Sequence, residues 1–219
     1  MIRAVFFDAG GTLLRTAEPV GRTYARLAGD YGWQAEEERL EQGFRCAWKK
    51  RMTEGAGEDG ILGREGWKRI VKASVEAGGL PEGFPFDDFF EEVYGHFARP
   101  EAWRDFPETE EVLRGLQERG VRTGILSNWD PRLRQVLAGF SWAERLDMVV
   151  ISEEVGVEKP GGKIFRKAEE AGGLTAGECA LVGDDPVSDQ RGAEGAGWRW
   201  ALVARPEKGL GEALASLGF

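Results

Sequence analysis

Acidic side chains that could bind a cation stand directly after two apolar runs in this sequence. Asp8 follows the first run, and Asp184 and Asp185 follow a later one, with Asp189 one helical turn further on. Carboxylates that gather in one place repel one another and raise each other's pKa, and a bound cation relieves that repulsion. An all-oxygen ligand set with room for water and a phosphate suits Mg²⁺. We therefore expect a magnesium site if the fold brings these acids together.

Polar side chains that could complete such a site follow two further apolar runs. Ser127 and Asn128 end one of them, and Lys159 follows the other within GVEKPGGKIF. Each has an ordinary structural explanation when it is taken alone. Ser127 or Asp189 could cap a helix, and Lys159 could be a solvated surface charge. Taken together they favour a single binding site, because all of them stand near the ends of predicted strands.

Five short runs rich in β-branched and aromatic residues predict the strands that would position these groups. The predicted strands are residues 2–7, 121–127, 146–152, 179–185 and 199–204. Segments of helical period precede or separate the last four strands. The predicted helices are residues 108–120, 131–140, 162–173 and 188–197. This alternation predicts an α/β fold with a doubly wound parallel sheet, in which the carboxyl ends of the strands form the ligand-binding edge.

Residues 15–105 interrupt this alternation with segments whose apolar residues recur at helical spacing. An insertion of about ninety residues is an all-α subdomain rather than a loop. The α/β core then comprises residues 1–14 and 106–219, and the helical subdomain comprises residues 15–105. A Gly-x-Gly-x-x-Gly match at residues 55–60 follows a helix and no strand, so it lacks the context of a dinucleotide-binding loop.

The composition is that of an ordinary globular protein with an acidic balance. The 219 residues are 42% hydrophobic and 31% charged, and the formal net charge is −9 at pH 7. Such a charge repels nucleic acids and anionic membranes, so we expect neither as a partner. Cys46 and Cys179 lie far apart without a Cys-x-x-Cys spacing. We expect both side chains to be buried as small hydrophobic residues and the protein to occupy a reducing compartment. The sequence has no long apolar segment and no signal-peptide pattern, which predicts a cytoplasmic protein.

These motifs, in this order, resemble those of the haloacid dehalogenase superfamily. DAGGT resembles the first motif, ILSNWD the second, EKPGGKIF the third and LVGDDPVSDQRGAEGAG the fourth. The resemblance covers the whole core, which is Rossmann-like in this superfamily, and the inserted helices resemble its cap. Within the superfamily, the SNWD and KP motifs are most similar to the haloacid dehalogenase-like hydrolase domain-containing group, many of whose members have no assigned substrate.

The resemblance implies phosphoryl transfer from a small phosphorylated metabolite through an aspartyl-phosphate. Asp8 is then the nucleophile, and Lys159 is the cation that offsets the charge of the phosphoryl oxygens together with Mg²⁺. Ser127 completes the implied catalytic set, and Thr12 fixes the turn after Asp8. The implied phosphate-binding residues are Ala9, Gly10, Thr12, Ser127, Asn128 and Lys159. At Ala9, Gly10 and Asn128 the implied donor is the backbone amide.

The same resemblance implies a Mg²⁺ cofactor. The implied ligands are the carboxylates of Asp8, Asp184 and Asp189 and the carbonyl oxygen of Gly10. Asp189 acts directly or through water, and Asp185 is left outside the set. Gly10 is a departure, because phosphatases of the superfamily normally carry a second aspartate there, which protonates the leaving group and then activates water. General acid–base catalysis of this kind is worth about 10²–10⁴-fold in rate.

Three interpretations of the function remain open. In the first, the protein is a Mg²⁺-dependent phosphatase that is slow, limited to good leaving groups, or helped by a substitute carboxylate such as Asp130 or Glu18. In the second, it is a 2-haloacid dehalogenase, in which Asp8 attacks carbon and expels a halide that needs no proton. In the third, it is a non-catalytic or weakly catalytic protein that binds phospho-ligands or serves as an interaction module. The retained nucleophile, lysine and metal-binding aspartates favour the first interpretation.

Aromatic residues bear on the surroundings of the predicted site. Trp129 directly follows Asn128, so it is a candidate for lining the substrate pocket. The segment FDDFFEEVYGHF is apolar enough to form the core face of the inserted helices, and an exposed part of it could support a homodimer. His96 in that segment has no partner pattern, and we expect it to be a packing or surface residue.

Overall fold

The computed structural model describes residues 1–54 and 61–219. Contacts divide the chain into two units, Met1–Arg15 with Arg104–Phe219 and Thr16–Trp103. We call the first the core unit and the second the helical unit. The Gly-x-Gly-x-x-Gly match at residues 55–60 lies outside the described residues.

The strands and helices are numbered in chain order. The strands are β1 (Ala4–Phe7), β2 (Leu14–Thr16), β3 (Trp103–Asp105), β4 (Arg122–Ser127), β5 (Met148–Ile151), β6 (Cys179–Gly183) and β7 (Arg199–Leu202). The α-helices are α1 (Val20–Asp30), α2 (Glu37–Glu54), α3 (Arg64–Ala77), α4 (Phe86–His96), α5 (Thr109–Glu118), α6 (Arg132–Leu137), α7 (Ser152–Val155), α8 (Gly162–Gly172), α9 (Gly192–Ala196) and α10 (Leu210–Leu217).

The core unit is built on a parallel sheet with the strand order β5-β4-β1-β6-β7. Helices flank this sheet: α5 packs against β4, α8 against β5, and α10 against β7. The predicted α/β fold with a parallel sheet is therefore confirmed. Strand β1 lies at the centre, and all four of its residues are buried, which explains why AVFF reads as an uninterrupted apolar run.

The register of the sheet brings three strand ends together. Phe7 pairs with Ile125 of β4 on one side and with Val182 of β6 on the other. The residues that follow these positions in a parallel sheet emerge at the same edge. Asp8 and Ser127 therefore stand beside each other, and the turn that begins at Asp184 stands on the other side of Asp8.

An aromatic cluster stabilises the core unit below this edge. Phe6 of β1 packs on Trp198 with ring centroids 5.0 Å apart, and Phe165 of α8 meets the same indole edge-on at 5.2 Å. All three side chains are buried. Burial of each contributes roughly 1.5–3 kcal/mol, so this packing holds α8 and β1 in fixed positions beneath the loops.

Several elements differ from the sequence prediction. The strand predicted over 179–185 ends at Gly183, because Asp184 and Asp185 leave the ladder and form a turn. The helix predicted over 188–197 is a π-helical turn at Pro186–Arg191 followed by the short α9. Strands β2 and β3, which pair with each other, and the terminal helix α10 were not predicted, because such short segments carry little periodic signal.

The helical unit contains α1 to α4 and packs around its own apolar cluster. Tyr24 of α1 meets Phe89 of α4 edge-on at 6.2 Å, and Phe89, Phe90 and Val93 are all buried. The segment FDDFFEEVYGHF thus supplies core residues of this unit. Cys179 is buried as expected, but the expectation for Cys46 was wrong, because Cys46 is exposed on α2. Within residues 1–54 and 61–219, no helix has the length and apolar character to cross a membrane.

Candidate active site

The carboxylate of Asp8 lies at the centre of a hydrogen-bonded cluster at the carboxyl edge of the sheet. Its backbone amide still donates to Val182 O at 2.9 Å, so the residue is fixed by the end of the ladder. Its Oδ1 accepts from Ser127 Oγ at 2.9 Å and from Lys159 Nζ at 2.7 Å. The structure therefore brings the three predicted catalytic residues into direct contact.

Lys159 is buried between two carboxylates. Its side chain is 1% exposed, and Nζ donates to Asp189 Oδ1 at 2.6 Å as well as to Asp8. Burial by itself lowers the pKa of Lys159, but the negative charges of Asp189 and Asp8 outweigh it and hold the pKa above its ordinary value. The ammonium group therefore stays charged.

Asn128 fixes the backbone of Lys159 through a reciprocal pair of hydrogen bonds. Lys159 N donates to Asn128 Oδ1 at 2.7 Å, and Asn128 Nδ2 donates to Lys159 O at 2.9 Å. The side chain of Asn128 is thus a positioning group for Lys159. The predicted phosphate contact of Asn128 rests on its backbone amide alone.

Asp8, Asp184 and Asp189 form a compact group of carboxylates. Each offers one oxygen atom, and these atoms all lie within 4.8 Å of one another. Desolvation, followed by the charges of Asp8 and Asp189, raises the pKa of Asp184 to about 7, although part of this residue remains accessible to solvent. Desolvation also raises the pKa of the buried Asp189.

The donor set of this group fits a hard divalent cation. All three donors are carboxylate oxygens, and Lys159 supplies a single positive charge against three negative ones. Desolvation first, and then the negative charges of Asp8 and Asp189, raise the pKa of Asp184, so its charged form is disfavoured at this position. A cation with oxygen ligands, such as Mg²⁺, would stabilise that charged form, so the residues present fit the predicted metal.

Asp189 and Asp185 have separate roles in the turn after β6. Asp189 Oδ2 accepts from the backbone amides of Asp184 and Asp185 at 3.1 and 3.0 Å, so its carboxylate ties the turn to Lys159. Asp185 Oδ1 instead accepts from the amides of Val187 and Ser188 at 2.9 and 2.6 Å and caps the π-helical turn. Asp185 is therefore not part of the acidic group.

The loop after Asp8 depends on a glycine that sequence reasoning missed. Gly11 has a left-handed backbone with φ +84°, and a Cβ there would lie 2.4 Å from Asp184 Oδ2. The buried Thr12 donates through Oγ1 to Asp184 Oδ1 at 3.2 Å. Ala9 O accepts from the amide of Leu14 at 2.8 Å and closes the loop. The glycine doublet was the available signal, but the sequence does not show which member meets Asp184.

Gly10 faces an aromatic side chain. It does not adopt a left-handed backbone, and a Cβ there would lie 3.4 Å from Trp129 Cζ3. The backbone of Trp129 is fixed by Ser152, whose Oγ accepts from Trp129 N and donates to Trp129 O, both at 3.1 Å. The structure thus brings Trp129 beside the loop that carries Asp8.

The two carboxylates considered as substitutes for an acid at position 10 are both engaged elsewhere. Asp130 is fully buried and forms a bidentate pair with Arg132, with Nε–Oδ1 at 2.8 Å and Nη2–Oδ2 at 2.6 Å. Glu18 belongs to the helical unit and accepts from Thr23 Oγ1 at 3.0 Å and from Arg26 at 3.2 Å. Burial raises the pKa of Glu18, but these hydrogen bonds outweigh it and leave the pKa below its ordinary value. Each carboxylate is therefore bound by groups of its own unit.

Comparison with known proteins finds relatives of this chain by sequence. A sequence model described as haloacid dehalogenase-like hydrolase matches residues 2–197. Haloacid dehalogenase-like hydrolase domain-containing protein 3 of Homo sapiens is 31% identical over 209 residues, which cover 94% of this chain and 83% of that protein. Phosphoserine phosphatase of Thermus thermophilus is 38% identical over 228 aligned residues, covering 93% of this chain and 89% of that protein.

A solved structure shares the fold. The L-2-haloacid dehalogenase of Xanthobacter autotrophicus superposes with a TM-score of 0.73 at 24% identity, covering 99% of this chain and 83% of that one. The family model and the relative at 31% identity confirm the resemblance inferred from the four motifs. The chain belongs to the haloacid dehalogenase-like hydrolase family.

Proposed function

We propose that this protein is a Mg²⁺-dependent phosphatase that acts on a small phosphorylated metabolite through an aspartyl-phosphate. The observation that carries the proposal is the contact of Asp8 with both Ser127 and Lys159 inside a group of three carboxylates that lie within 4.8 Å. The candidate site thus combines a carboxylate nucleophile with a hydroxyl donor and an ammonium donor. The same site contains the carboxylates that could bind a cation. The relative named phosphoserine phosphatase supports the same reaction class.

In this proposal Asp8 acts as the nucleophile. Both of its side-chain hydrogen bonds go to Oδ1, and among the described residues none reaches Oδ2. In the proposed reaction a carboxylate oxygen of Asp8 bonds to phosphorus while the bond from phosphorus to the leaving oxygen breaks. Water then attacks phosphorus, the acyl phosphate bond breaks, and inorganic phosphate and the free carboxylate are released.

Lys159 and Ser127 would bind the phosphoryl group during this transfer. An ammonium group has three donors, and Lys159 uses two of them on Asp8 and Asp189. The third donor of Lys159 remains for a phosphoryl oxygen. The hydroxyl of Ser127 can turn away from Asp8 and donate to a second phosphoryl oxygen. When bound, Mg²⁺ would add positive charge that stabilises the negative charge on the phosphoryl oxygens.

Gly10 narrows the proposed substrate range. The glycine has no side chain that could protonate a leaving alkoxide, and Asp130 is held by Arg132. The leaving group must then depart with little help from a general acid, which costs about 10²–10⁴-fold for a basic alkoxide. We propose that the preferred substrates have acidic leaving groups, such as acyl, enol or aryl phosphates.

Dehalogenation is the second candidate. A halide leaves without a proton, so Gly10 would not impair it, and a solved dehalogenase shares the fold. In that reaction Asp8 attacks carbon and the carbon–halogen bond breaks. Displacement of a halide needs no divalent cation, so the group of carboxylates formed by Asp8, Asp184 and Asp189 favours the phosphatase. Binding of phospho-ligands without turnover is the third candidate.

Hydrolysis of p-nitrophenyl phosphate tests the proposal. We expect turnover with Mg²⁺, none in excess EDTA, and none for Asp8→Asn with Mg²⁺. Asp30→Asn is a matched control, because this exposed aspartate ends α1 in the helical unit, and it should retain the wild-type rate. Full activity of Asp8→Asn would show that Asp8 is not the nucleophile. A panel of phosphorylated metabolites then defines the substrate class.

The same preparation separates the other two candidates. Release of halide from 2-chloropropionate without a divalent cation, with no hydrolysis of aryl phosphate, would establish a dehalogenase instead. Saturable binding of phosphorylated metabolites without turnover of any member of the panel would establish a binding protein.

A further inference from the structure

An arginine from the far end of the chain holds the loop that carries Asp8. Arg205 follows β7, and its Nη2 donates to Thr12 O at 3.1 Å. Its Nη1 donates to Glu108 Oε1 at 2.7 Å. The guanidinium carbon lies 3.4 Å from the centroid of the Phe106 ring. A carboxylate, an aromatic face and a backbone carbonyl thus fix this guanidinium group in one position.

Thr12 connects this arginine to the acidic group. The residue is fully buried, and its Oγ1 donates to Asp184 Oδ1 at 3.2 Å, while its carbonyl oxygen accepts from Arg205. Thr12 therefore binds Arg205 through its backbone carbonyl and Asp184 through its hydroxyl. A shift of the Thr12 backbone would move the hydroxyl that orients this carboxylate.

The neighbouring carbonyl of the loop is bound by the segment that also carries Glu108. Leu13 O accepts from Phe106 N at 3.1 Å and from Thr109 Oγ1 at 3.2 Å. Residues 106–109 therefore hold the loop directly and also hold Arg205 against it. Arg205 adds the hydrogen bond to Thr12, one residue closer to the site than Leu13.

The position of Arg205 carries a cost for folding. Its Nε is buried and has no hydrogen-bond partner among the described residues. A buried donor without a partner destabilises the folded state. The guanidinium group keeps this position through its contacts with Glu108, Phe106 and the carbonyl oxygen of Thr12.

We propose that Arg205 is a positioning residue that sets the Mg²⁺ affinity of the site through Thr12 and the carboxylate of Asp184. The inference rests on the proposed function, because it requires the divalent cation site. Groups that orient a metal ligand without touching the metal typically change metal affinity by about 10–100-fold when they are removed. Arg205 acts one step further out, so we expect a loss of about tenfold.

Calorimetric titration of metal-free protein with Mg²⁺ tests this chain of contacts. We expect Arg205→Gln and Thr12→Val each to weaken binding about tenfold or more. The double variant should bind no more weakly than Thr12→Val alone, because without the hydroxyl Arg205 has no route to Asp184. Additive losses would overturn the proposed route.

Arg122→Gln is the matched control. Arg122 Nη1 also donates to a backbone carbonyl, that of Gly172, at 2.8 Å, but it lies at the opposite end of β4 from Ser127. We expect its Mg²⁺ affinity to equal that of the wild type. An equal loss in this control would show that a general effect on stability, and not Arg205, sets the affinity.

The outcomes also separate this inference from the proposed function. If the wild type binds no Mg²⁺, the proposed function fails, and this inference fails with it. If the wild type binds Mg²⁺ and folded Arg205→Gln binds it equally well, this inference alone is overturned. Should Arg205→Gln not fold, Arg205→Lys serves instead. A lysine keeps the charge but lacks the planar fork of donors that Arg205 directs at Glu108 and Thr12, so its affinity should also fall, and an unchanged affinity would refute the role of Arg205.

Discussion

Replacement of Lys159 by methionine gives a quantitative test of the electrostatics at the candidate site. The side chain is 1% exposed and forms ion pairs with Asp8 at 2.7 Å and Asp189 at 2.6 Å. Methionine fills a similar volume without a charge. Removal of one partner of a buried ion pair typically costs about 3–5 kcal/mol, and here two carboxylates lose their partner at once. We therefore expect the upper half of that range in the metal-free protein.

The predicted loss is large enough to measure by urea unfolding. With a dependence on urea of about 3 kcal/mol per molar, a loss of about 4–5 kcal/mol lowers the unfolding midpoint by about 1.5 M. Unfolding is measured in EDTA and at a pH above about 7. The pKa of Asp184 is raised to about 7, so the carboxylates are charged only above that pH. Added Mg²⁺ should reduce the deficit, because the cation restores positive charge among the same oxygens.

A surface lysine provides the control for this experiment. Lys167 pairs with Glu170 on α8, and their side chains are 49% and 63% exposed. Surface pairs of this kind contribute about 0–1 kcal/mol, so Lys167→Met should scarcely change the midpoint. The electrostatic reasoning is refuted if Lys159→Met is no more destabilising than this control, or if its deficit is the same with and without Mg²⁺.

Four further predictions concern protons and glycines. Mg²⁺ affinity by calorimetry should rise as pH increases through about 7, because a proton on Asp184 competes with the cation. The metal-free protein should lose stability to urea as pH rises from the ordinary aspartate range to about 7, since the folded state binds that proton more tightly than the unfolded state. Gly11→Ala should cost about 1–2 kcal/mol of unfolding free energy and weaken Mg²⁺ binding, because of its positive φ and the closeness of Asp184. Gly10→Asp should increase phosphatase kcat, by at most about 10²–10⁴-fold, because it supplies a proton donor.

Each of these predictions has a result that would contradict it. A Mg²⁺ affinity and an unfolding free energy that do not change with pH would contradict the raised pKa of Asp184. For Gly11, the control is Gly115→Ala on α5, where a Cβ meets open space and should stabilise the helix by about 0.5–1 kcal/mol. If Gly11→Ala stabilised the protein as much as Gly115→Ala does, the left-handed backbone at Gly11 would not be required. Folded, metal-bound Gly10→Asp with unchanged turnover would show that proton transfer is not limiting.

The sequence alone determined the fold and the edge of the sheet at which the site lies. Strand β1 reads as a strand because AVFF is apolar throughout, and α8 reads as a helix because its apolar residues recur every three to four positions. Parallel strands joined by helices then place their carboxyl ends together as a matter of topology. Asp8, Ser127 and Lys159 could be assigned to one edge on that basis.

Only the tertiary structure decided which atoms meet at that edge. Asp184 and Asp185 are adjacent and chemically identical, yet Asp184 meets Thr12 while Asp185 caps the turn after it. The resemblance separated the two residues, but the neighbouring sequence does not show what Asp184 meets, because its partner Thr12 lies 172 positions away in the chain. In the same way, Arg205 reaches Thr12 across 193 positions.

The physical reason is the range of the interactions involved. Periodicity and strand-end rules express backbone geometry over a few neighbouring residues, so a sequence displays them directly. The direction of a carboxylate depends on hydrogen bonds and charges within a few ångströms, and those groups become neighbours only when the sheet closes around β1. Most of the residues of the candidate site could therefore be named from the sequence, and the hydrogen bonds among them were decided by the tertiary structure.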